Sequence, residues 1–415
     1  MQLIDFKKVL ISHYNYIIIG GGIIGLAMAR RILQLDPGAS IAILEKEPDV
    51  ARHASGRNSG VLHAGFYYTA DSLKARFTAD GNRRLAEYCK DKKLKFNHCK
   101  KVVVTKDETE LPALYELEER GKRNGVEVAI IDQKEVRELD PNVRTHQFAL
   151  YSPATATVDP VEICVTLKQE LQDRGVRFYW QEAYARRVGK DGFVSSRNNR
   201  FVFGKLINAA GLYADKVASD FSFSRDYTII PFKGLYLKYT GNKPPVKTNV
   251  YPVPNLKNPF LGVHFTVTVD GSVKIGPTSM PAFWREHYDG FRNFNPGEAM
   301  SILRHQAGLF ARNSFGFRSL ATDELKKMRK NHFIGMAVGM VHELDTKGFS
   351  EWGRPGIRAQ LMNIHTCELV MDFVVEGDDR STHILNAVSP ALTCSFPFAE
   401  WVVENHVLNE VMMNK

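Results

Sequence analysis

Six residues near the start of the chain, Gly20-Gly21-Gly22-Ile23-Ile24-Gly25, have the spacing of a GxGxxG turn. In such a turn the first glycine permits the tight bend. The second lets backbone approach a pyrophosphate, and the third lets a helix pack close to the preceding strand. The helix then points free N–H groups and its positive dipole end at the phosphates. Glu45 stands 20 residues beyond Gly25, where an acid binds ribose hydroxyls, with Lys46 beside it. Together these residues predict a dinucleotide site, open to FAD or NAD. The stretch that follows, RHASGRNSGVLHAG over residues 52–65, is long, polar and glycine-rich. It favours FAD, because it can run along the pyrophosphate toward an isoalloxazine, whereas an NAD domain more often returns directly to a helix and strand. Arg57, Asn58, Ser59 and Gly60 are its cofactor-binding candidates.

Two further turns suit a nucleotide. Ile207-Asn208-Ala209-Ala210-Gly211, followed by Asp215, puts small residues after an apolar strand. They allow close approach to a ligand, or equally simple strand–helix packing. Asn386-Ala387-Val388-Ser389-Pro390-Ala391-Leu392-Thr393 is a small-residue turn entering a helix, which is either an anion-binding geometry or a capped helix start.

The elements that must position these turns follow from periodicity. Residues 14–19 (YNYIII) read as a strand, 26–35 as a helix ended by Asp36-Pro37-Gly38, and 40–44 (SIAIL) as a second strand. This β-α-β unit makes its two strands parallel neighbours. Helices are expected over 73–92, 112–124, 160–174 and 399–412, and strands over 102–105, 176–180, 205–209 and 381–388. Between 227 and 275 several alternating runs predict an antiparallel sheet, and 295–336 is more helical. Parallel α/β pieces therefore flank antiparallel ones. The predicted class is α/β: a Rossmann-type FAD-binding domain with a discontinuous, antiparallel β-rich α+β substrate domain. The expected boundaries are 14–95, 155–225 and 356–412 for the FAD domain, and 96–154 and 226–355 for the substrate domain.

Composition bounds the remaining classes. The 415 residues exceed one simple core, and 44% hydrophobic with 24% charged residues is ordinary for a globular chain. The net charge of +9 permits an anionic partner, but acids are interspersed with the basic residues, so a solvated basic surface is expected and no nucleic-acid partner. Cys89, Cys99, Cys164, Cys367 and Cys394 form no CxxC pair, and no metal-ligand spacing or disulfide framework is expected. Free thiols in a reducing cytoplasm are the simplest account. Residues 1–15 carry Asp5, Lys7 and Lys8 and lack the apolar run of a signal peptide, and no segment has the roughly 20 apolar residues of a spanning helix.

The opening turn with LEKE, the SGRNSGVLHAG loop and the INAAG turn resemble the DAO-type FAD oxidoreductases, a GR2-like fold. Within them the chain is similar to the L-2-hydroxyglutarate dehydrogenases and oxidases. The segments that carry this are NSGVLHAGFYY (58–68), PFKGLY (231–236), YPVPNLKNPFLGVHFT (251–266), GSVKIGP (271–277), GIRAQ (356–360) and NAVSPALT (386–393). The likeness runs from about residue 14 to 407 and is loose over 313–354. Arg57 departs from the family's usual histidine and Lys233 from its arginine. The resemblance implies FAD and oxidation of L-2-hydroxyglutarate to 2-oxoglutarate: a hydride passes to flavin N5, a base takes the hydroxyl proton, and cations hold two carboxylates. Arg358 in its GxR segment is the expected carboxylate clamp, because its fork pairs bidentately. His63 and His264 are the two candidates for the base, and Lys233 and Tyr251 could complete the pocket. A quinone or oxygen is expected as electron acceptor. A cytoplasmic location follows, with peripheral contact at the cytoplasmic membrane face through the basic stretch 325–333. Alternatives are an amino-acid or amine oxidase, a glycerol-3-phosphate dehydrogenase, and a non-catalytic flavin-binding protein.

Overall fold

The computed structural model describes residues 11–254 and 262–408. The charged start at 1–10, part of the 251–266 motif and the end expected for the last helix at Met412 lie outside the described residues.

The first strand, Ile11–Ile19, is buried only in its second half, where Tyr16 to Ile19 sit between two parallel neighbours. Ile41–Glu45 pairs with it on one side and Arg200–Asn208 on the other, and Ser381–Asn386 continues the parallel set beyond Asn208. Arg177–Trp180 adds a parallel strand outside Ile41–Glu45. Apolar residues on both faces of these strands are covered by helices, as parallel sheets require. The helix Ile23–Leu35 packs with Pro160–Asp173 and Ala391–Val402 on one face, in the largest core cluster.

A second eight-stranded sheet takes all its strands from residues 101–152 and 237–352. Its pairings are antiparallel with one exception. Asn249–Pro252 runs parallel to Lys101–Val104, joining two pieces of chain far apart in sequence. A short third sheet joins Tyr227–Gly234 to Gly356–Asn363 along their whole lengths. That ladder unites residues on both sides of the boundary expected at 355/356.

Two expectations need correction. The last helix begins at Ala391, not at 399, and carries Pro397 inside it. Proline usually ends a helix interior, but this one is held by burial of nearly its whole length against the nucleotide-binding core. The basic stretch 325–333 is not one continuous face either. It is split between the helices Phe317–Lys326 and Lys330–Val338, Lys327 is buried in an ion pair with Glu324, and Phe333 is in the core. Leu325 and Met328 are exposed, at 62% each.

Candidate active site

The glycine turn is set by close backbone contacts. Gly20 has φ +109°, and a Cβ there would lie 2.5 Å from the Ala209 carbonyl oxygen. A Cβ on Gly25 would lie 2.1 Å from the Gly20 carbonyl oxygen, so the helix can approach the turn only with glycine at that place. Gly22 caps the helix Ile23–Leu35. Its Cβ direction meets only the Ser55 hydroxyl at 3.0 Å, which leaves its backbone open to a ligand. The Ile23 N–H donates to Ser55 Oγ (2.9 Å), and the Gly21 N–H donates to Glu45 Oε2 (2.8 Å). The acid that was expected to meet a ribose thus also braces the turn.

This turn opens on a cavity of about 740 Å³. Its walls include Gly20, Gly22, Ile23, Glu45 and Lys46 from the nucleotide unit, and Arg57, Asn58 and Ser59 from the following loop. Ala209, Ala210 and Gly211 meet them from the second turn, and Ser389, Pro390, Ala391 and Thr393 from the third. Three turns distant in sequence therefore converge on one long cleft. Gly21, Gly25 and Gly60 shape the backbone without lining it; Gly60 has φ +76° and passes under the Val158 carbonyl. Asn58 holds the loop, donating to the carbonyls of Ala54 and Ser55 and accepting from the Gly60 N–H. Arg57 donates to the carbonyls of Arg52 and Pro355 and stacks over Tyr288, 4.3 Å from its centroid.

His63, Tyr236 and Arg358 also line the cavity. The His63 N–H donates to Thr393 Oγ1 (3.1 Å), and its carbonyl accepts from Asn82 Nδ2 (3.1 Å). Its ring is held well below the ordinary pKa, first by burial and then by the charges of Lys101 and His264. The imidazole is therefore neutral, the state from which a base acts. Arg358 lies on Gly356–Asn363 opposite Phe232, and burial lowers its pKa while Tyr236 and Tyr68 oppose that shift. Burial raises Tyr236 to about 12, so it stays a phenol at neutral pH.

His264, Tyr251 and Lys233 do not line this cavity. His264 and Tyr251 stack on each other at 3.7 Å on the buried second sheet. The His264 Nδ1–H donates to the Gly262 carbonyl (2.8 Å), and burial pushes its pKa down to about 3. Lys233 follows Phe232 on its strand, and strand alternation turns it away from the wall that Phe232 and Arg358 form.

Some site residues were not anticipated. Ser55 and Tyr236 lie within the SGRNSGVLHAG loop and the PFKGLY segment without standing out there, and nothing local marks Asn82. Lys101 could have been noticed as a cation inside the strand KVVV. Lys46 was expected at the cofactor, but it lies 2.5 Å from Glu47 Oε1 and 2.6 Å from Glu286 Oε1, with His53 Nε2 also at 2.6 Å. The three ligand-type groups around it, Glu47, His53 and Glu286, have ligand atoms within 4.8 Å of one another, and the ammonium already contacts all three. Asp215, beside the second turn, is a buried tie: its carboxylate accepts two bonds of 2.7 Å from Arg285.

The sequence model for FAD-dependent oxidoreductases of the DAO type matches residues 15–342. The human mitochondrial L-2-hydroxyglutarate dehydrogenase is 34% identical over 95% of this chain and 88% of its own. The Escherichia coli K12 L-2-hydroxyglutarate dehydrogenase is 32% identical over 94% and 92%. The chain belongs to the L-2-hydroxyglutarate dehydrogenase family. Among solved structures, an FAD-bound α-glycerophosphate oxidase from Mycoplasma pneumoniae aligns with TM-score 0.73 at 20% identity, covering 96% of this chain and 95% of its own. Glycine oxidase from Geobacillus kaustophilus follows at 0.69 and 16%, with coverage of 96% and 95%. These show the fold. For a member of the L-2-hydroxyglutarate dehydrogenase family the cofactor is FAD, and the cleft fits it. Gly22 leaves backbone open at a helix N-terminus, and small residues from two other turns face it.

Proposed function

We propose that this chain oxidises L-2-hydroxyglutarate to 2-oxoglutarate, with His63 as the base and Arg358 as the clamp for a substrate carboxylate. The observation that carries this reading is that His63, Tyr236 and Arg358 line the same cavity as the three nucleotide turns. Bound FAD supplies the acceptor for the hydride. Arg358 orients the carboxylate next to the reacting carbon, and its fixed fork limits how the substrate can turn. The neutral His63 ring removes the hydroxyl proton as the C–H bond breaks. Of the two histidines, His63 supports this role because it reaches the cavity wall, whereas His264 is spent on packing and on the Gly262 carbonyl.

Anaerobic mixing with L-2-hydroxyglutarate should bleach the flavin, and 2-oxoglutarate should appear in equal amount. Bleaching instead by an amine, an amino acid or glycerol 3-phosphate would replace the substrate. No bleaching by any of them would leave a non-catalytic flavoprotein.

A quinone or oxygen takes the electrons onward, and reoxidation by each in turn identifies which. The proposed location is the cytoplasm, with contact at the membrane face. Among the described residues no helix is long and apolar enough to cross a membrane. What supports surface contact is an exposed aromatic group, Phe283, Phe291 and Phe294, with Phe291 83% exposed, beside exposed Arg292. Exposed rings next to cations suit a lipid interface. Co-sedimentation with anionic vesicles should weaken as salt rises and fall further in Phe291→Ser; equal recovery with and without vesicles at low salt would remove the membrane from the reading.

A further inference from the structure

Lys101 begins the strand Lys101–Val104 and is fully buried, at 0% exposure. Val102 and Val104 point into one core cluster, while Val103 shares another with Tyr251 and Phe66. Lys101 lies on this second side. Its Nζ is 4.2 Å from the centroid of Tyr251, 5.3 Å from Tyr67 and 5.6 Å from Phe66. No hydrogen-bond acceptor meets that Nζ among the described residues, and His63 Nδ1 and the Tyr67 hydroxyl are also without partners. These three orphaned atoms belong to one neighbourhood, since the Lys101 charge acts on both His63 and His264.

Other buried cations have partners. Lys327 pairs with Glu324 and Arg285 with Asp215. Lys274 donates to the Ser59 carbonyl (3.3 Å), and Asp372 acts on Lys74. Lys101 has aromatic faces and no carboxylate. A lone buried ammonium is costly, and ring faces recover only part of that cost. Such a group is complete when an anion comes to it. Arg358 and Lys101 stand on different sheets, Arg358 on the cavity wall and Lys101 with no carboxylate of its own.

We propose that Lys101 is the specificity residue for the substrate carboxylate remote from the hydroxyl, while Arg358 holds the near one. The proposal rests on the reading of the site as a 2-hydroxy dicarboxylate oxidase. Lys101 is not itself on the cavity wall, but its charge acts on His63, which is, and its flexible four-carbon stem can carry the ammonium forward. A monoacid leaves that ammonium unpaired, and this is how the diacid is preferred.

The test compares L-2-hydroxyglutarate with L-2-hydroxyvalerate, which has a methyl group in place of the remote carboxylate. In Lys101→Met holoenzyme, kcat/KM for the diacid should fall at least about thirtyfold, the loss typical of truncating one partner of a buried charge pair. For the monoacid it should change less than about threefold. Arg358→Met should lower both together. A merely structural lysine would lower both substrates equally in Lys101→Met, and that result, or an unchanged preference for the diacid, overturns the proposal. A second measurement needs no turnover. Glutarate should raise the Tm of wild-type holoenzyme but not of Lys101→Met, and equal shifts overturn the assignment even if L-2-hydroxyglutarate proves not to be the substrate. If Lys101→Met fails to retain FAD, Lys101→Gln is judged by the same two ratios.

Discussion

The nucleotide cleft and the substrate end of the same cavity are built in opposite ways. The cleft is made of backbone: Gly20, Gly22 and Gly25 in one turn, and small residues in two others, each at the end of a parallel strand. The substrate end is made of side chains brought from separate elements: His63 from the loop, Tyr236 from the turn after Tyr227–Gly234, and Arg358 from the short ladder, with Lys101 and His264 of the second sheet acting on His63 without reaching the cavity. A backbone site fails when any side chain intrudes. A side-chain site fails one function at a time.

That contrast can be broken by substitution. The largest effect is expected at Gly25→Val, where the new Cβ would fall 2.1 Å from the Gly20 carbonyl oxygen with only backbone to yield. The purified variant should carry no FAD, read from its visible absorption; a fully yellow protein would refute the backbone account. His63→Asn should keep FAD and lose about 10²- to 10⁴-fold in kcat, the usual worth of a general base. A loss below tenfold would move the base elsewhere. Arg358→Met should also keep FAD and lower kcat/KM by about thirtyfold or more, with stopped-flow flavin reduction as the measure.

The smallest effect is one of pH. Burial pushes Lys101 down to about 7 from the ordinary lysine value of 10.5, with Cys99 opposing. The groups around it, His63, Tyr67, Tyr251 and His264, bring no negative charge at neutral pH. Its ammonium is therefore present below pH 7 and lost above it, so kcat/KM for the diacid should decline as pH rises through about 7. His63 is already neutral there, so no acid limb should appear near 6.5. Stability moves the other way. The unfolded chain binds this proton up to 10.5 and the folded one only to about 7, so the substrate-free protein should gain stability across that window. Lys101→Met should abolish the slope of the pH profile and lessen that of Tm against pH, to which Lys74 and Lys274, each lowered to about 8 by burial, also contribute.

The two regions were also unequally legible. Gly20 to Gly25 with Glu45 could be read because turn, helix and acid follow one another within a single crossover. His63 and Arg358 were named through likeness to a family, and Lys233, His264 and Tyr251 came with them although the cavity does not include them. Alternation explains Lys233, since its neighbour Phe232 takes the inward position. Lys101 went unnoticed because its importance depends on Tyr251, which its strand meets only through the parallel pairing of 101–104 with 249–252. The basic stretch is less uniform than its sequence suggests for a similar reason: Lys327 pairs with Glu324 three residues earlier and is turned inward, while Lys326 and Arg329 stay exposed.

The place of the first strand has a consequence for how the protein is made. Ile11–Ile19 is the centre of its sheet, and one of its two neighbours, Arg200–Asn208, is nearly two hundred residues further on. A ribosome adding about 5–20 residues per second leaves that apolar edge unpaired for roughly ten seconds or more. The amino-terminal half must therefore wait, with an open strand edge of the kind that invites pairing with another chain. Chaperone demand during synthesis should accordingly be concentrated in the interval before residue 208 emerges.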